Sequence, residues 1–528
     1  MSAQCLYNGV VFPEKLPEYP QEVFKERKCL AVPYLDDPPE VIRTGTGREL
    51  FADDFIIEST DCKKTFHYPE KYAGNPILKP ETELELGNGE HASCARPKSG
   101  GVWYDYEKRI YRMWYEAGFL GYICYAESTD GINWIRPDLD VFPGTNRVLP
   151  FGLKSDSWTV IHDYYTTDPQ QKFKLFVMEP CYPAARGMVM TSPDGIHWSL
   201  PTATGFAGDR TTMFFNPFRK KWCFSLRSYA HDPMLRMRDY AEGDDIFTAA
   251  QWGALAAENH EKTAVHWAGV DELDAPDPNL NIPPQLYNLD AVPYESLMLG
   301  MFQLHYGPPN KDCEESGYPK ITGLEFAYSR DGFHWSRPDR KCAIYPEPDT
   351  WNRGYVQSLG NICTVSEDKI TFYFTGFGGN PGGGLRHSMY ENGATGIAFL
   401  RRDGFASMDA GENGGMITTR KLTFDGKYLF VNIDAPHGEV RAEVLDEQGR
   451  LINGFSADDC LAVSGDHTKI MLKWRNAELE TLQGKAVKFR FILRNAGIYS
   501  FWVSRSLRGE SRGYVSGGGP DYHAPIDL

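Results

Sequence analysis

The sequence predicts an all-β protein, a five-bladed β-propeller followed by a C-terminal β-sandwich. Three observations favour this fold: a repeated motif, short strands at regular spacing, and a change of pattern after residue 411. The motif is STDGINW at residues 128–134, SPDGIHW at 192–198 and SRDGFHW at 329–335. A repeat of this kind indicates one supersecondary unit that is used several times.

Two weaker copies of the motif bring the number of units to five. They are GDDIF at residues 243–247, which leads to Trp252, and RDGF at residues 402–405. The Asp-Gly pair suits a tight turn with positive φ, and the Trp that follows it can cover the outer edge of a small sheet. We therefore interpret the motif aspartates as turn formers and not as catalysts.

Strands fill the sequence between the motifs. Apolar runs at 111–115, 173–178, 222–226 and 370–374 each follow a polar turn, and helical periodicity is confined to a short segment around 249–257. Short strands with regular turn signals are typical of all-β folds. Five units about 50 to 85 residues apart fit a five-bladed propeller with loop insertions. We assign residues 49–408 to this propeller and residues 1–48, rich in proline and charge, to an N-terminal arm.

The last part of the chain has a different pattern. Val440, Ala442 and Val444 alternate with Arg441 and Glu443, as in a half-buried antiparallel strand. Residues 409–505 have the length of a β-sandwich and no cluster of titratable groups, which indicates a structural or interface domain. Residues 506–528 are glycine-rich and polar, and we expect them to form a tail.

Composition limits the partners and the location. A formal net charge of -16 over 528 residues argues against nucleic acid or an anionic membrane as a partner. The 11 cysteines include no C-x-x-C pair, so neither a disulfide framework nor a zinc site is predicted. Reduced thiols, the lack of a signal-peptide pattern and the lack of a membrane-spanning run favour a cytoplasmic location, with a processed secreted form left open.

The aromatic content of 13% fits a carbohydrate partner, although it fits Trp-edged sheets equally well. We expect no metal ligand set and no cofactor. A structural calcium in the channel and a homo-oligomer both remain compatible with the sequence.

Candidate catalytic residues follow from the strands that should line the central channel. We interpret one polar residue in each unit as the residue that opens such a strand: Asp156 in unit two, Asp209 in unit three, Glu295 in unit four and Gln357 in unit five. Asp156 stands seven positions before Asp163, as Asp209 does before Asn216. Carboxylates that converge in this way are the groups that glycosyl transfer requires.

The S-x-D-G-x-x-W motif and the order of propeller then sandwich resemble the five-bladed β-propeller glycosidases. This group includes invertases, levansucrases, arabinanases and β-xylosidases, of glycoside hydrolase families 32, 43, 68, 117 and 130. The resemblance covers about residues 50 to 505. It implies that carboxylates on three successive inner strands act as nucleophile or base, transition-state stabiliser and general acid. The chain has no W-x-N-D-P-N-G signature and no unmistakable acid that opens the first blade, where the equivalent region offers Glu90, so the exact family is not assigned.

The resulting prediction is hydrolysis of a terminal sugar from an oligosaccharide, polysaccharide or glycoside. Glu295 would be the general acid, Asp209 the nucleophile or base and Asp156 the stabiliser, with exchanged roles left open. Further residues are predicted to contact the substrate: Glu90, His91, Arg96, Trp158, Arg210, Asp290, Tyr294, Tyr355, Gln357, Arg386 and His387.

Two alternatives remain at this point. One is a phosphorylase or glycosyl-transferring enzyme of the same fold, with Arg96, Lys98, Arg210 and His387 around a phosphate. The other is a non-catalytic carbohydrate-binding propeller.

Overall fold

The computed structural model describes residues 4–149, 156–179, 186–230, 235–253, 264–382 and 388–528. These residues form an almost entirely β structure. Their longest helix has 7 residues, and none of their helices is long and apolar enough to cross a membrane. The ten cysteines among them are free thiols.

The chain begins with short elements that pack on the propeller and the sandwich. In order they are β1 (Gln4–Cys5), β2 (Val11–Phe12), α1 (Gln21–Lys25), α2 (Pro33–Asp36), β3 (Ile42–Arg43), β4 (Glu49–Leu50), β5 (Ile57–Thr60), β6 (Lys63–Phe66) and β7 (Glu70–Lys71). Phe12 and Tyr34 of the N-terminal arm are buried in the largest apolar core. The arm is thus part of the packed structure.

Five antiparallel sheets then follow in sequence, which confirms the predicted five-bladed propeller. Blade 1 contains β8 (Ala95–Arg96), β9 (Val102–Asp105), β10 (Ile110–Ala117) and β11 (Tyr122–Ser128), and blade 2 contains β12 (Ser157–His162), β13 (Phe173–Glu179), β14 (Arg186–Ser192) and β15 (Thr202–Phe206). Blade 3 contains β16 (Thr212–Asn216), β17 (Lys221–Ala230), β18 (Leu235–Gly243), α3 (Ile246–Ala249) and β19 (Val265–Ala268). Blade 4 contains β20 (Gln285–Glu295), β21 (Leu297–Gly307), α4 (Asn310–Ser316) and β22 (Ile321–Ser329), and blade 5 contains β23 (Gly354–Val365), β24 (Lys369–Phe377) and β25 (Gly393–Arg401).

The innermost strands of the five blades are β8 with β9, β12, β16, β20 and β23. In blade 1 this strand is interrupted, since β8 and β9 pair with opposite ends of β10. The outer strand of blade 5 comes from a segment that precedes blade 1 in the chain, because β7 pairs with β25 through Glu70 and Phe399. The ring is therefore closed by hydrogen bonds between the first and last strands of the propeller.

The repeated motif forms the predicted turn. In the blade 4 copy, Asp331 Oδ1 accepts hydrogen bonds from the Phe333 and His334 amides at 2.9 and 2.8 Å. Gly332 has a φ of +77°, and a Cβ on it would lie 1.9 Å from Asn216 Nδ2 in the neighbouring blade. The turn therefore requires glycine both for its conformation and for the close approach of the next blade.

The same turns also join the blades. Trp114 Nε1 of blade 1 donates to the Gly195 carbonyl oxygen of blade 2 at 2.7 Å. Tyr373 of blade 5 donates to the Gly131 carbonyl oxygen of blade 1 at 3.1 Å. In the blade 2 turn, burial acts to raise the pKa of Asp194, but hydrogen bonds from backbone N–H groups outweigh it and lower this pKa to about 2. The motif aspartates are thus structural, as the sequence predicts.

The sandwich consists of β26 (Ala406–Ala410), β27 (Gly415–Thr419), β28 (Leu422–Thr423), β29 (Tyr428–Leu445), β30 (Val463–Leu472), β31 (Lys488–Arg494) and β32 (Ala496–Ser504). The first half of β29 pairs with β32 and its second half with β31, so this strand passes from one layer to the other. The rings of Phe491 and Phe501 meet between the layers with centroids 5.0 Å apart.

The predicted boundary at residue 49 is wrong. β4, β5 and β6 pair with β32, β27 and β26, so residues 49–66 belong to the sandwich. Short 3₁₀ helices complete the description: Gly87–Gly89, Pro169–Gln171, Ser388–Tyr390 and Leu479–Leu482.

The end of the chain is not the predicted tail. β33 (Tyr514–Val515) pairs with the last residues of β20 in blade 4. The Gly517 amide donates to the Cys363 carbonyl oxygen of blade 5 at 3.1 Å, and the Gly517 carbonyl oxygen accepts from the Tyr104 amide of blade 1 at 2.8 Å. The Tyr514 ring lies against aromatic rings of blades 2 and 3. Residues 506–528, which we name the C-terminal plug, therefore lie across one end of the central channel.

Candidate active site

The other end of the channel is formed by the starts of the inner strands, and two carboxylates lie there. Asp156 directly precedes β12, and its amide donates to the Met178 carbonyl oxygen at 3.0 Å. Asp209 lies three residues before β16. Asp163 and Asn216, seven residues further on, both accept a backbone N–H in the turn that follows their strand. The register that the sequence predicts for these two blades is therefore present.

Asp156 is the acid with the raised pKa. Its side chain is 27% exposed, and Lys98 Nζ lies 3.7 Å from its Oδ1. Burial, followed by the negative charge of Asp209, raises the pKa of Asp156 to about 6 despite this lysine. Asp156 is thus biased towards the protonated form at the pH values where an ordinary aspartate is ionised.

Asp209 is shifted in the opposite direction. Tyr287 donates its hydroxyl proton to Asp209 Oδ2 at 3.0 Å, and Arg227 lies 3.8 Å from the same oxygen. Although burial acts against ionisation, the charges of Arg227, Lys98 and Lys320 hold the pKa of Asp209 below its usual range. The pKa values of the two neighbouring carboxylates are therefore shifted in opposite directions, which is the arrangement that separates a general acid from a base or nucleophile.

Arg96 supports the wall of the channel in blade 1. Its guanidinium donates to Glu116 at 2.6 Å and to Gln357 Oε1 at 2.8 Å. It also lies over the rings of Phe119 and Phe377 at 5.1 and 4.9 Å. Arg96 and Gln357 are almost fully buried and are bonded to each other, so the structure uses these two predicted substrate contacts to hold the channel wall together.

A second buried support lies between blades 3 and 4. Arg210 donates to Gln303 at 3.3 Å and lies 3.9 Å from Asp290. Asp290 in turn accepts a hydrogen bond from Ser358 at 2.5 Å. Arg210 and Asp290 are at most 1% exposed, so they too hold the channel wall in place from behind.

Three tyrosines and a lysine form the side of the site that blades 4 and 5 contribute. The hydroxyl oxygens of Tyr287 and Tyr355 are 3.1 Å apart. Lys320 Nζ lies over the rings of Tyr287, Tyr355 and Tyr390 at 5.5, 4.8 and 5.4 Å. Burial lowers the pKa of Lys320 to about 8. Tyr355, a predicted substrate contact, therefore does belong to the cluster.

The prediction that Glu295 joins Asp156 and Asp209 is wrong. Glu295 is the last residue of β20. The acid of this strand that lies beside Arg210 is Asp290, five residues earlier. The Glu295 side chain is 0% exposed and is ion-paired with Arg402 and Arg48 at the plugged end of the channel. Tyr294 is also misassigned, because its hydroxyl is buried there and donates to Asp403 at 2.6 Å.

The remaining predicted contacts have mixed outcomes. Trp158 is fully buried in the core between blades, so its prediction as a substrate contact is wrong. Glu90 is exposed, and His91 Nδ1 donates to the Phe119 carbonyl oxygen at 3.1 Å, which ties it to blade 1. Arg386 and His387 lie outside the described residues.

Sequence reasoning did not find Lys320, Arg227 or Glu116 as site residues. Glu116 could have been found, since it stands opposite Arg96 in the pairing of β10 with β8. Lys320 precedes β22 and approaches the acids only through the fold. In the described part of the chain, no group of three or more His, Cys, Asp and Glu side chains could hold a metal ion.

No protein-family model and no curated protein matches the chain. Solved structures similar to it include an N-acetylgalactosamine deacetylase from F. plautii in complex with blood group B trisaccharide, at 14% identity, covering 65% of this chain and 96% of that chain, with a TM-score of 0.40. A glycosyl hydrolase from Bacteroides ovatus is 12% identical, covering 68% and 97%, with a TM-score of 0.41. A fructofuranosidase from Schwanniomyces occidentalis, complexed with fructose, is 8% identical, covering 83% and 97%, with a TM-score of 0.37.

These similar proteins include glycoside hydrolases, but the identities and TM-scores are low. The likeness therefore carries no argument about the reaction of this chain. The assignment of a five-bladed propeller followed by a sandwich rests on the sheets described above, and the chain is not assigned to one glycosidase family.

Proposed function

We propose that the protein is a glycoside hydrolase in which Asp156 is the general acid and Asp209 the nucleophile or base. The observation that carries this proposal is a pair of partly exposed carboxylates at the unplugged end of the channel, Asp156 beside Lys98 and Asp209 in a hydrogen bond from Tyr287. Their surroundings shift their pKa values in opposite directions. Glycoside hydrolysis uses such a pair, with one carboxyl kept protonated and the other kept ionised.

In the proposed reaction, Asp156 donates its proton to the glycosidic oxygen as the bond from that oxygen to the anomeric carbon breaks. Asp209 either bonds to the anomeric carbon or removes a proton from the water that attacks it. In the first case, water then releases the sugar and returns the proton to Asp156. Tyr287 keeps one Asp209 oxygen in a hydrogen bond, which fixes the direction of the carboxylate.

This assignment exchanges roles relative to the expectation from sequence. Asp156 takes the place of Glu295 as acid, because Glu295 is enclosed by arginines and by the C-terminal plug. Lys98 Nζ lies 3.7 Å from Asp156 Oδ1, where negative charge develops as the proton leaves.

The test is a panel of 4-nitrophenyl glycosides and oligosaccharides with the wild type, Asp156→Asn and Asp209→Asn. Each substitution should lower kcat/KM by about 10² to 10⁴-fold, the usual contribution of an acid or base. Asp244→Asn is the matched control, because Asp244 is an exposed aspartate on the blade 3 turn. It should change kcat/KM by no more than about twofold.

Two outcomes would contradict the proposal. Full activity in both amide variants would remove the pair from catalysis. Saturable sugar binding by the wild type with no cleavage of any substrate would favour a non-catalytic carbohydrate-binding propeller.

A further inference from the structure

Lys320 is a buried cation that has no carboxylate in direct contact among the described residues. Its residue is 2% exposed. Lys98 and Arg227 each have one acid of the pair within 4 Å, at 3.7 and 3.8 Å. Within the described ranges of the chain, no carboxylate lies within 4 Å of Lys320 Nζ. Its neighbours are instead the three rings of Tyr287, Tyr355 and Tyr390.

Such a position is costly unless something else pairs with the ammonium. Buried charges are normally paired, because an ion loses its hydration when it leaves water. Contacts with aromatic faces replace only part of that hydration. A tyrosine cage around an unpaired ammonium is therefore a site where an anion from a ligand would bind.

The charges around the acids lead to the same conclusion. Lys98, Arg227 and Lys320 all act on Asp209, and catalysis with Asp156 as acid leaves only Asp209 ionised in the pair. The other nearby acids are already engaged, since Glu116 pairs with Arg96 and Asp290 lies by Arg210. The site thus has more positive than negative charge before any substrate binds.

Arg236 adds to this excess. It lies over the Tyr287 ring at 5.6 Å, on the ring that Lys320 also contacts, and donates to the neutral Gln285 side chain at 3.0 Å. His305 stacks on the same ring, and burial lowers its pKa to about 3, so this imidazole is neutral and adds no charge.

We propose that the substrate is an anionic sugar, whose carboxylate group binds Lys320 between the three tyrosines. This deepens and rests on the proposed hydrolase function, because the same site would hold the sugar against Asp156 and Asp209. The shared chemistry is an oxyanion. Its source is assigned to the sugar itself, since Tyr287, which contacts Lys320, also donates to Asp209 at 3.0 Å, so an anion at Lys320 would lie beside the sugar on which Asp209 acts.

Binding is the first test, because it does not require turnover. Titration calorimetry would compare glucuronate and galacturonate with glucose and galactose on the wild type, Lys320→Met and Lys320→Arg. The wild type should bind at least one uronate about tenfold or more tighter than the matching neutral sugar, since charge-assisted hydrogen bonds are the stronger ones. Lys320→Met should abolish this preference and Lys320→Arg should retain part of it.

Lys311→Met is the matched control. Lys311 lies on α4, near Lys320 in the chain, and its side chain is 82% exposed. This variant should keep the wild-type preference. Thermal unfolding of each variant would show that it is folded, and Lys320→Arg keeps the test decisive if Lys320→Met does not fold.

The source of the anion is tested separately with inorganic phosphate. Phosphate that accelerates cleavage of neutral glycosides and appears in a sugar 1-phosphate product would overturn the anionic-sugar proposal in favour of phosphorolysis. Equal binding of uronates and neutral sugars, or a preference that survives Lys320→Met, would also overturn it.

The two proposals fail in different ways. Uronate binding that depends on Lys320, with no glycoside cleaved, would reject the hydrolase and support the anion subsite. Cleavage of neutral glycosides that depends on Asp156, with no preference for uronates, would reject the anion subsite and support the hydrolase.

Discussion

The two ends of the propeller channel both contain buried charges, but the charges are paired to different degrees. At the plugged end, Glu295 and Asp403 face Arg48 and Arg402, and all four side chains are at most 1% exposed. Two negative and two positive charges balance there. At the other end, Asp156 and Asp209 are about one quarter exposed, and the cations around them outnumber them.

The balanced cluster joins distant parts of the chain. Glu295 belongs to blade 4, and its Oε2 accepts hydrogen bonds from the Arg48 amide at 3.0 Å and from Ser511 of the plug at 2.8 Å. Asp403, from the blade 5 turn, accepts from Ser500 of the sandwich at 2.6 Å. A network that joins the N-terminal segment, both domains and the C-terminal plug in this way has an architectural role.

The comparison shows how the proposed functional carboxylates differ from the structural ones in this fold. Both kinds are buried and both are shifted in pKa by their neighbours. The structural ones have complete sets of partners and no access to solvent. The proposed catalytic carboxylates keep some exposure to solvent, and the cations around them outnumber them, so a bound ligand can supply the missing negative charge.

The largest expected effect is on stability, at the plugged end. Glu295→Gln leaves Arg48 and Arg402 with one carboxylate between them and should destabilise the fold by about 3–5 kcal/mol, as the removal of one partner from a buried ion pair does. The midpoint of urea unfolding, followed by tryptophan fluorescence, measures this. The kcat/KM of the folded variant should stay close to that of the wild type.

Glu367→Gln is the control for this change, because Glu367 pairs with Lys469 on the surface. It should cost less than about 1 kcal/mol, as exposed pairs do. A Glu295→Gln variant that kept its stability and lost activity would contradict the structural role of the plugged end, since Glu295 would then belong to the catalytic machinery.

The next effect is the pH dependence at the other end. Asp156 must be protonated to act as the acid, so kcat/KM for an unactivated glycoside should fall about tenfold per pH unit above about pH 6. Asp209 must be ionised, and because its pKa lies below the usual value, the acidic decline should begin only below the pH range in which an ordinary aspartate becomes protonated. A pH profile at constant ionic strength measures both limbs, with thermal unfolding to show that the protein stays folded. A rate that stays constant up to pH 8 would contradict the assignment of Asp156.

Much of the fold could be predicted because its signals are local. The motif at residues 128–134, 192–198 and 329–335 contains both the turn and the residues that fix it, so each copy indicates a blade without any long-range information. The matching positions of Asp156 and Asp209 could be predicted for the same reason, since each has a fixed distance to the turn that ends its strand.

The errors occur where local signals were absent. β20 and β21 are joined at Ser296 without glycine, proline, asparagine or aspartate, and Glu295 itself has a φ of +48°, in the region usually occupied by such turn residues. The sequence around Glu295 therefore looked like the start of a strand when it is the end of one. Nothing in residues 506–528 could show that their partners are the inner strands of the propeller, because those contacts are distant in the chain.

The positions of Lys320 and Arg227 also depend on long-range packing. Lys320 lies in a connection between α4 and β22, and only the assembled blades bring it close to Tyr355 and to the charge of Asp209. A pattern of residue types along one strand does not contain this information.

The most direct test of the central assignment compares leaving groups in Asp156→Asn. A general acid is needed when the departing oxygen is a poor leaving group and is not needed for an activated aryl glycoside such as a 2,4-dinitrophenyl glycoside. We expect Asp156→Asn to slow the cleavage of alkyl glycosides or natural oligosaccharides by about 10² to 10⁴-fold, and that of the activated substrate by less than about tenfold. Equal slowing of both substrates would contradict the assignment, and the same leaving-group dependence in Asp209→Asn instead would give the acid role to Asp209.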